Sequence, residues 1–499
     1  MTALNADLDR WLRAGAGGAA PCERRIETSI SWVYLYPDRA LKLKRPVDFG
    51  FVDFTTLEKR RVAVERELDF NRVTAPDIYR GARAVVRRGD SFALDGPGEV
   101  VEWALEMRRF DERCVLSERP DAVTGERAET LGREIARFHA DAPVSRRFGG
   151  AEGLRASMQT NAANLCELAA ELDAASVETV IAMTQQAWSA AAPLLDARRA
   201  AGLVRRCHGD LHLGNILLED GRTVLFDCIE FNDALSEIDV LYDLAFLLMD
   251  LEARDRPAAA NRVMNGWLDE AARRLGPEVW SGLAALPLFQ SVRAAIRAHV
   301  SAHAGNCEQG RRYLAAAAAH LTPARPSLVA IGGLSGSGKT TVARRLAPLI
   351  GARPGAVVVR SDEVRKRQWG GAPTERLPPE AYSLDAGKRV YAEMIGLAEV
   401  CLGAGRAVVL DAVFLRAEER EAAEVLARRM GVPFDGVWLE APPHVLQARI
   451  ASRRGDASDA DAAVLAEQLT RDPGQVAWSR GEGGDAEATA RAVTARLAG

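Results

Sequence analysis

The stretch "LVAIGGLSGSGKTTVARRL", Leu328 to Leu346, constrains the fold more than any other in this chain. Apolar residues run into it, Gly333-Leu334-Ser335-Gly336-Ser337-Gly338-Lys339-Thr340 fits GxxxxGK[ST], and a helix-forming segment follows. A strand that turns through glycines into a helix is the opening of a parallel, helix-wrapped sheet. The glycines let successive backbone N–H groups face phosphate oxygens, and the helix N-terminus adds partial positive charge. Ser335, Ser337 and Thr341 complete the cradle. Lys339 is expected to reach the terminal phosphates and Thr340 to ligate Mg²⁺, so ATP with Mg²⁺ is the expected occupant.

Further strand signals, "AVVVRSD", "RAVVLDAVF" and "FDGVWLEAP", alternate with helical ones, as a parallel sheet requires. Asp411 ends one of them and is expected to meet the metal. Asp362 ends another, followed by Glu363 and Arg365. Strand-end aspartates also serve as helix N-caps, which is the competing reading for both. Arg449 and Arg453 stand four apart, with Arg454 beside them, and are expected to close over phosphates; a solvated basic face is the alternative. From about Leu328 onward the chain resembles the P-loop small-molecule kinases, through "SDEVRK" and the arginine-rich run "RIASRRGDASDAD". That resemblance implies that Asp362 orients or deprotonates an acceptor hydroxyl and that Arg365, Arg449 and Arg453 suit substrate and phosphate contacts.

The preceding "TPARPS", Thr322 to Ser327, has two prolines and no apolar periodicity, the character of a linker. At 499 residues the chain is long enough for two to four domains, and a boundary here leaves residues 1–322 and 327–499. The first part begins with an expected hairpin in "ETSISWVYLYPDRALKLK", then a charged helix in "TTLEKRRVAVERELDFNRVTA". Strand signals in "AVVRRGDSFAL" and "GEVVEWALEMRRF" follow, and alanine-rich helices dominate beyond about Leu116.

Within those helices lies "CHGDLHLGNILL", Cys207 to Leu218. His208, Asp210, Leu211 and Asn215 fit HxDLxxxN, the spacing of a kinase catalytic loop. Asp210 would accept the acceptor hydroxyl's proton while Asn215 returns to the same pocket as a metal ligand. A hairpin at Asp220-Gly221 then leads to Asp227 as the second metal carboxylate. A zinc site at His208, Asp210 and His212 would leave the Asn215 and Asp227 match to coincidence. Such a site also needs a strand lysine held by a helix glutamate. Lys42 and Lys44 share one strand face, Lys42 being favoured by its AxK spacing, and the partner is Glu67 or Glu65, with Glu67 preferred. His139, His299 and His303 read as structural.

These residues, with "FDCIEFNDALSEIDVLYDLAFLLMDL" behind them, resemble the aminoglycoside phosphotransferases, which share the protein-kinase fold. In that order with the P-loop segment, the chain resembles the fused bifunctional aminoglycoside phosphotransferase/ATP-binding proteins. The fold implied is an α+β protein-kinase-like bilobal domain followed by an α/β P-loop kinase domain with a parallel sheet. The resemblance implies Asp210 as base, Asn215 and Asp227 as Mg²⁺ ligands, and Asp243 as a brace for the loop. Two departures stand out: no GxGxxG precedes the lysine strand, so "ETSIS" would cover the phosphates, and "DCI" replaces DFG.

Composition narrows the class. A net charge of -4 gives no general pull toward nucleic acid, and no run of about 18 apolar residues offers a membrane span. The acidic start lacks a secretory pattern, so the cytoplasm is the expected location. Seven scattered cysteines make neither CxxC pairs nor a disulfide framework. The expected activity is ATP-dependent phosphoryl transfer at two ATP/Mg²⁺ sites to hydroxyls of small molecules, and the fusion raises the idea of sequential steps on one metabolite. The rivals are an ATP-binding regulatory protein with one active domain, and a nucleic-acid or protein kinase. Oligomeric state is not encoded in these patterns.

Overall fold

In "SWVYLYPDRALKLK" the alternation of apolar and polar residues produces β2 (Ser31–Leu35) and β3 (Arg39–Lys44), antiparallel, with Leu35 opposite Ala40. They belong to an antiparallel sheet with β1 (Arg24–Glu27), β4 (Tyr79–Arg88), β5 (Ser91–Leu94) and β6 (Glu99–Arg108), ordered β1-β2-β3-β6-β4-β5. "AVVRRGDSFAL", read as one strand, folds back at Gly89-Asp90 into β4 and β5, with Arg88 opposite Ser91. Leu41 and Leu43 join Trp32, Tyr34 and Tyr36 in a core closed by Leu8 and Leu12. A strand's period of two therefore turns Lys42 and Lys44 to the opposite face. The helix Leu57–Arg72, capped at Thr56, presents Glu67 there.

This computed structural model describes residues 4–50, 52–452, 457–482 and 484–498; Arg453 and Arg454 lie outside the described residues. The chain packs as two units. The first comprises Met1–Ala122, Ala142–Gly149 and Val204–Asp243. Besides the sheet it holds β7 (Val204–Arg206) paired with β10 (Glu237–Asp239), and the hairpin β8 (Ile216–Glu219) and β9 (Arg222–Leu225).

The second unit comprises Val123–Asp141, Gly150–Leu203 and Leu244–Gly499. Its sheet is parallel throughout, ordered β12-β13-β11-β14-β15, from β11 (Leu328–Gly333), β12 (Val357–Arg360), β13 (Val408–Asp411), β14 (Phe434–Glu440) and β15 (Ser479–Glu482). Every residue of β11, β12 and β13 is buried, as strands covered on both faces must be. β15 gives no sequence signal because it is the polar "SRGE" at a sheet edge. Helices Gly125–Asp141 and Pro257–Leu275, which precede the linker, belong to this same unit. Among the described residues no single helix is long and apolar enough to cross a membrane. All seven cysteines are free thiols.

Candidate active sites

In the first unit, four separate segments converge. Lys42 Nζ donates to Glu67 Oε1 and to Asp227 Oδ1, each at 2.7 Å. Burial works against the Lys42 ammonium, but Asp227 and then Glu67 outweigh it and hold its pKa well above the ordinary lysine value. Burial likewise disfavours the Glu67 carboxylate, yet Lys42 and Lys44 bring its pKa down to about 2. Lys44 Nζ sits 2.7 Å from Glu67 Oε2 and also donates to Glu230, a residue absent from the sequence reasoning. Lys44, Glu67 and Glu230 are all buried. Glu65 faces elsewhere and pairs with Arg61 at 2.9 Å. The only hint of Glu230 in the sequence is its place three residues after Asp227.

Asp227 holds φ +61°, a costly backbone for a residue with a Cβ, and strain of this kind gathers at functional sites. Its N–H donates to Tyr79 Oη at 3.0 Å, and the next N–H, of Cys228, to Asn71 Oδ1 at 2.8 Å. Tyr79 and Asn71 thus shape the loop, with no motif to announce them.

The loop from His208 to Asn215 is held from within. Asp243 accepts from the N–H groups of His208 and Gly209 at 3.1 and 2.9 Å. Gly209, at φ +84°, stands where a Cβ would come within 2.9 Å of the Leu235 carbonyl oxygen, so a side chain is excluded. His208 Nε2 bonds the Phe226 carbonyl at 2.9 Å, and burial holds its imidazole below the ordinary pKa despite Asp243 and Asp210. Asn215 Nδ2 donates to the Asp210 backbone oxygen at 2.9 Å and to Asp210 Oδ2 at 3.1 Å. His212 Nε2 lies 3.3 Å from the same Oδ2. Asp210 and Asp227 keep 39% and 46% of their side chains exposed, so both carboxylates remain open to a ligand. The carboxylate oxygens and the Asn215 carbonyl suit a hard cation such as Mg²⁺. "ETSIS" forms the β1–β2 turn, where Ser31 N–H donates to Thr28 Oγ1 at 2.9 Å.

In the second unit the cradle is backbone. Gly333, Gly336 and Gly338 all have positive φ, and a Cβ on Gly333 would fall 2.4 Å from the Leu439 carbonyl oxygen. Lys339 opens the helix Lys339–Leu346 and donates to the carbonyls of Gly333 and Leu334 at 2.9 Å. The Ser337 hydroxyl is buried with no hydrogen-bond partner, an unmet polar group in a loop built for phosphate. Thr340 Oγ1 donates to Asp411 Oδ2 at 2.7 Å, which brings together two oxygens of the kind that suits a hard cation such as Mg²⁺. A cavity of about 370 Å³ is lined by Ser335, Gly336, Gly338, Lys339, Thr340 and Thr341, and also by Asp362, Arg365, Asp411 and Arg449. Asp362 lies in the first turn of helix Ser361–Gln368 rather than closing β12. Arg449 reaches the Gly336 carbonyl at 3.3 Å, and Arg453 lies outside the described residues.

Sequence reasoning passed over two further groups at this cavity. Gln468 Oε1 accepts from the Ser335 N–H at 2.9 Å. Asp459, within the arginine-rich run, pairs with Lys366 at 2.7 Å and accepts from the Leu377 N–H at 3.0 Å. Elsewhere, His139 accepts from Trp267 Nε1 at 3.0 Å in the core, and burial pushes His299 down to about 4.

Residues 63–284 match the phosphotransferase enzyme family, and residues 328–472 match the AAA domain family. An uncharacterized protein of Mycobacterium tuberculosis, Rv2004c, is 31% identical over 475 residues, covering 91% of this chain and 90% of its own. The Mycobacterium tuberculosis APS kinase CysC, in complex with AMPPNP and APS, is 26% identical over 26% of this chain and 71% of its own, with a TM-score of 0.22. An ADP-bound aminoglycoside phosphotransferase is 14% identical over 64% of this chain and 99% of its own, with a TM-score of 0.32. The two family matches make the protein a kinase that uses ATP with Mg²⁺. With a relative aligned across nearly all of both chains and the two matches in this order, the chain belongs to the fused family of bifunctional aminoglycoside phosphotransferase/ATP-binding proteins.

Proposed function

We propose that the chain carries two ATP/Mg²⁺ sites, each transferring the γ-phosphoryl group to a hydroxyl of a small molecule. One is assigned to residues 1–322 and the other to residues 327–499. The observation that carries this reading is that each site holds its own lysine and its own oxygen ligands: Lys42 with Asp227 in one, and Lys339 with Thr340 and Asp411 in the other. Mg²⁺ supplies charge neutralisation on the phosphates. In the first site Lys42, oriented by Glu67, steadies ATP phosphates, and Asn215 and Asp227 hold the metal. Asp210 takes the acceptor's proton as its oxygen bonds to the γ-phosphorus and ADP departs. In the second, Gly333 to Thr341 bind phosphates, Asp362 faces the acceptor, and Arg449 and Arg453 compensate growing charge.

The absence of a net positive charge favours small acceptors over nucleic acid. The test is an ATP-consumption screen of sugars, amino sugars, aminoglycosides and nucleosides with wild type, Asp210→Asn and Lys339→Ala. Each variant should lose one acceptor-dependent activity and retain the other. Loss of every activity in one variant alone would instead support the regulatory reading with a single active domain.

A further inference from the structure

We propose that Arg133 and Arg273, from two helices that precede the linker, are positioning residues for the P-loop site. The inference rests on the reading of Asp362 and Asp411 given above. Helix Ser361–Gln368 places Asp362 and Glu363 side by side in its first turn. Asp362 lines the cavity, whereas Glu363 is buried on another side of the helix. Its two oxygens are held by different arginines: Arg133 Nη2 reaches Oε1 at 2.7 Å, and Arg273 Nη2 reaches Oε2 at 3.4 Å. Arg133 belongs to helix Gly125–Asp141 and Arg273 to helix Pro257–Leu275.

The ion-pair chain continues to the metal side of the site. Arg360 Nη1 stands 3.9 Å from Glu363 Oε1, and Arg360 Nε 3.5 Å from Asp411 Oδ2, the oxygen that accepts from Thr340. The same two helices grip the neighbouring elements. Asn265 Oδ1 accepts from the Val358 N–H of edge strand β12 at 2.7 Å, and Asn261 Nδ2 donates to the Ala356 carbonyl at 2.9 Å. Edge-strand groups that would otherwise be unpaired are thus satisfied by a helix. Arg344, on the helix that follows the phosphate loop, pairs with Glu129 at 2.6 Å. Neither Arg133 nor Arg273 lines the cavity, so their effect on the reaction must pass through Glu363 and the turn that carries Asp362. A buried carboxylate stripped of its arginine seeks water or a new partner, and a displacement of about 1 Å at a reacting group costs about 100-fold in rate.

The experiment uses the full chain in an Asp210→Asn background and reads the Mg²⁺-ATP hydrolysis of the P-loop site as its probe. Arg133→Met and Arg273→Met should lower kcat about 10- to 100-fold while KM for ATP moves less than about 3-fold. Arg133→Lys should recover part of kcat, and Glu363→Gln added to Arg133→Met should relieve the loss by removing the stranded charge. A destabilised scaffold alone would not yield that reversal, and if Arg133→Met does not fold, Arg133→Lys and Arg273→Met carry the test. Unchanged kcat in folded variants overturns the inference. Asp362→Asn, measured in parallel, separates the causes: hydrolysis that survives it overturns the reading of Asp362, whereas its loss with normal Arg273→Met turnover overturns only the positioning role.

Discussion

On the proposed reading, the two sites solve one chemical problem in opposite ways. The P-loop site is shaped by main-chain groups: three glycines at positive φ bend the loop, and Lys339 bonds to loop carbonyls. The first-unit site uses side chains from four segments, and Lys42 bonds to two carboxylates instead. A backbone cradle is encoded in consecutive residues. A side-chain cradle is encoded in residues far apart, whose charges must balance before any ligand arrives.

That contrast breaks if each site does not respond to its own residues. Asp210→Asn should cut turnover at the first site by about 10²- to 10⁴-fold, the range of general-base removal, and leave P-loop turnover at the wild-type rate. Lys339→Ala should do the reverse, by about 10²- to 10³-fold, in the same coupled ATP assay.

Stability sharpens the contrast next. Lys44→Met leaves Glu230 and part of Glu67 buried without a counter-charge and should cost about 3–5 kcal/mol in urea unfolding. Lys339→Met should cost clearly less, since the loop carbonyls to which its ammonium donates carry no charge. Gly333→Ala should add about 1–3 kcal/mol of backbone strain and weaken ATP binding at the P-loop site, measured by calorimetry, without touching the first site.

The smallest expected effect compares two buried glutamates. Glu67 sits at about 2 because its lysines outweigh burial, so its stabilisation is present above 4.5 and is lost only as pH falls toward 2. Glu252, in the second unit, is raised by burial to about 7, with Arg353 and Arg406 only partly offsetting it. Its protonated form is the one favoured in the fold, so stability falls as pH rises from 4.5 through 7. Glu252→Gln should therefore raise Tm at pH 8 and change it little at pH 5.

The same contrast explains what could be read from sequence. Gly333 to Thr340 and the strand-helix alternation lie in one continuous stretch, and the spacing of Asp210, Asn215 and Asp227 follows from one loop and one hairpin. Lys42 and Lys44 share a strand face, so periodicity could not rank them; in the structure both touch Glu67, and only Lys42 also reaches Asp227. Glu230 was invisible because its partner lies 186 residues away. Arg133 and Arg273 were invisible for the same reason: their shared partner, Glu363, is far from both in the chain. Asp362, which the sequence suggests closes a strand, instead lies in the first turn of a helix because that helix begins directly at Ser361.

The central claim, two nucleotide sites in one chain, is tested most directly by the stoichiometry of Mg²⁺-AMPPNP binding in titration calorimetry. The account predicts two equivalents per wild-type chain, and one each for Lys42→Ala and Lys339→Ala. A single equivalent in wild type, abolished by one of these substitutions and untouched by the other, would contradict it.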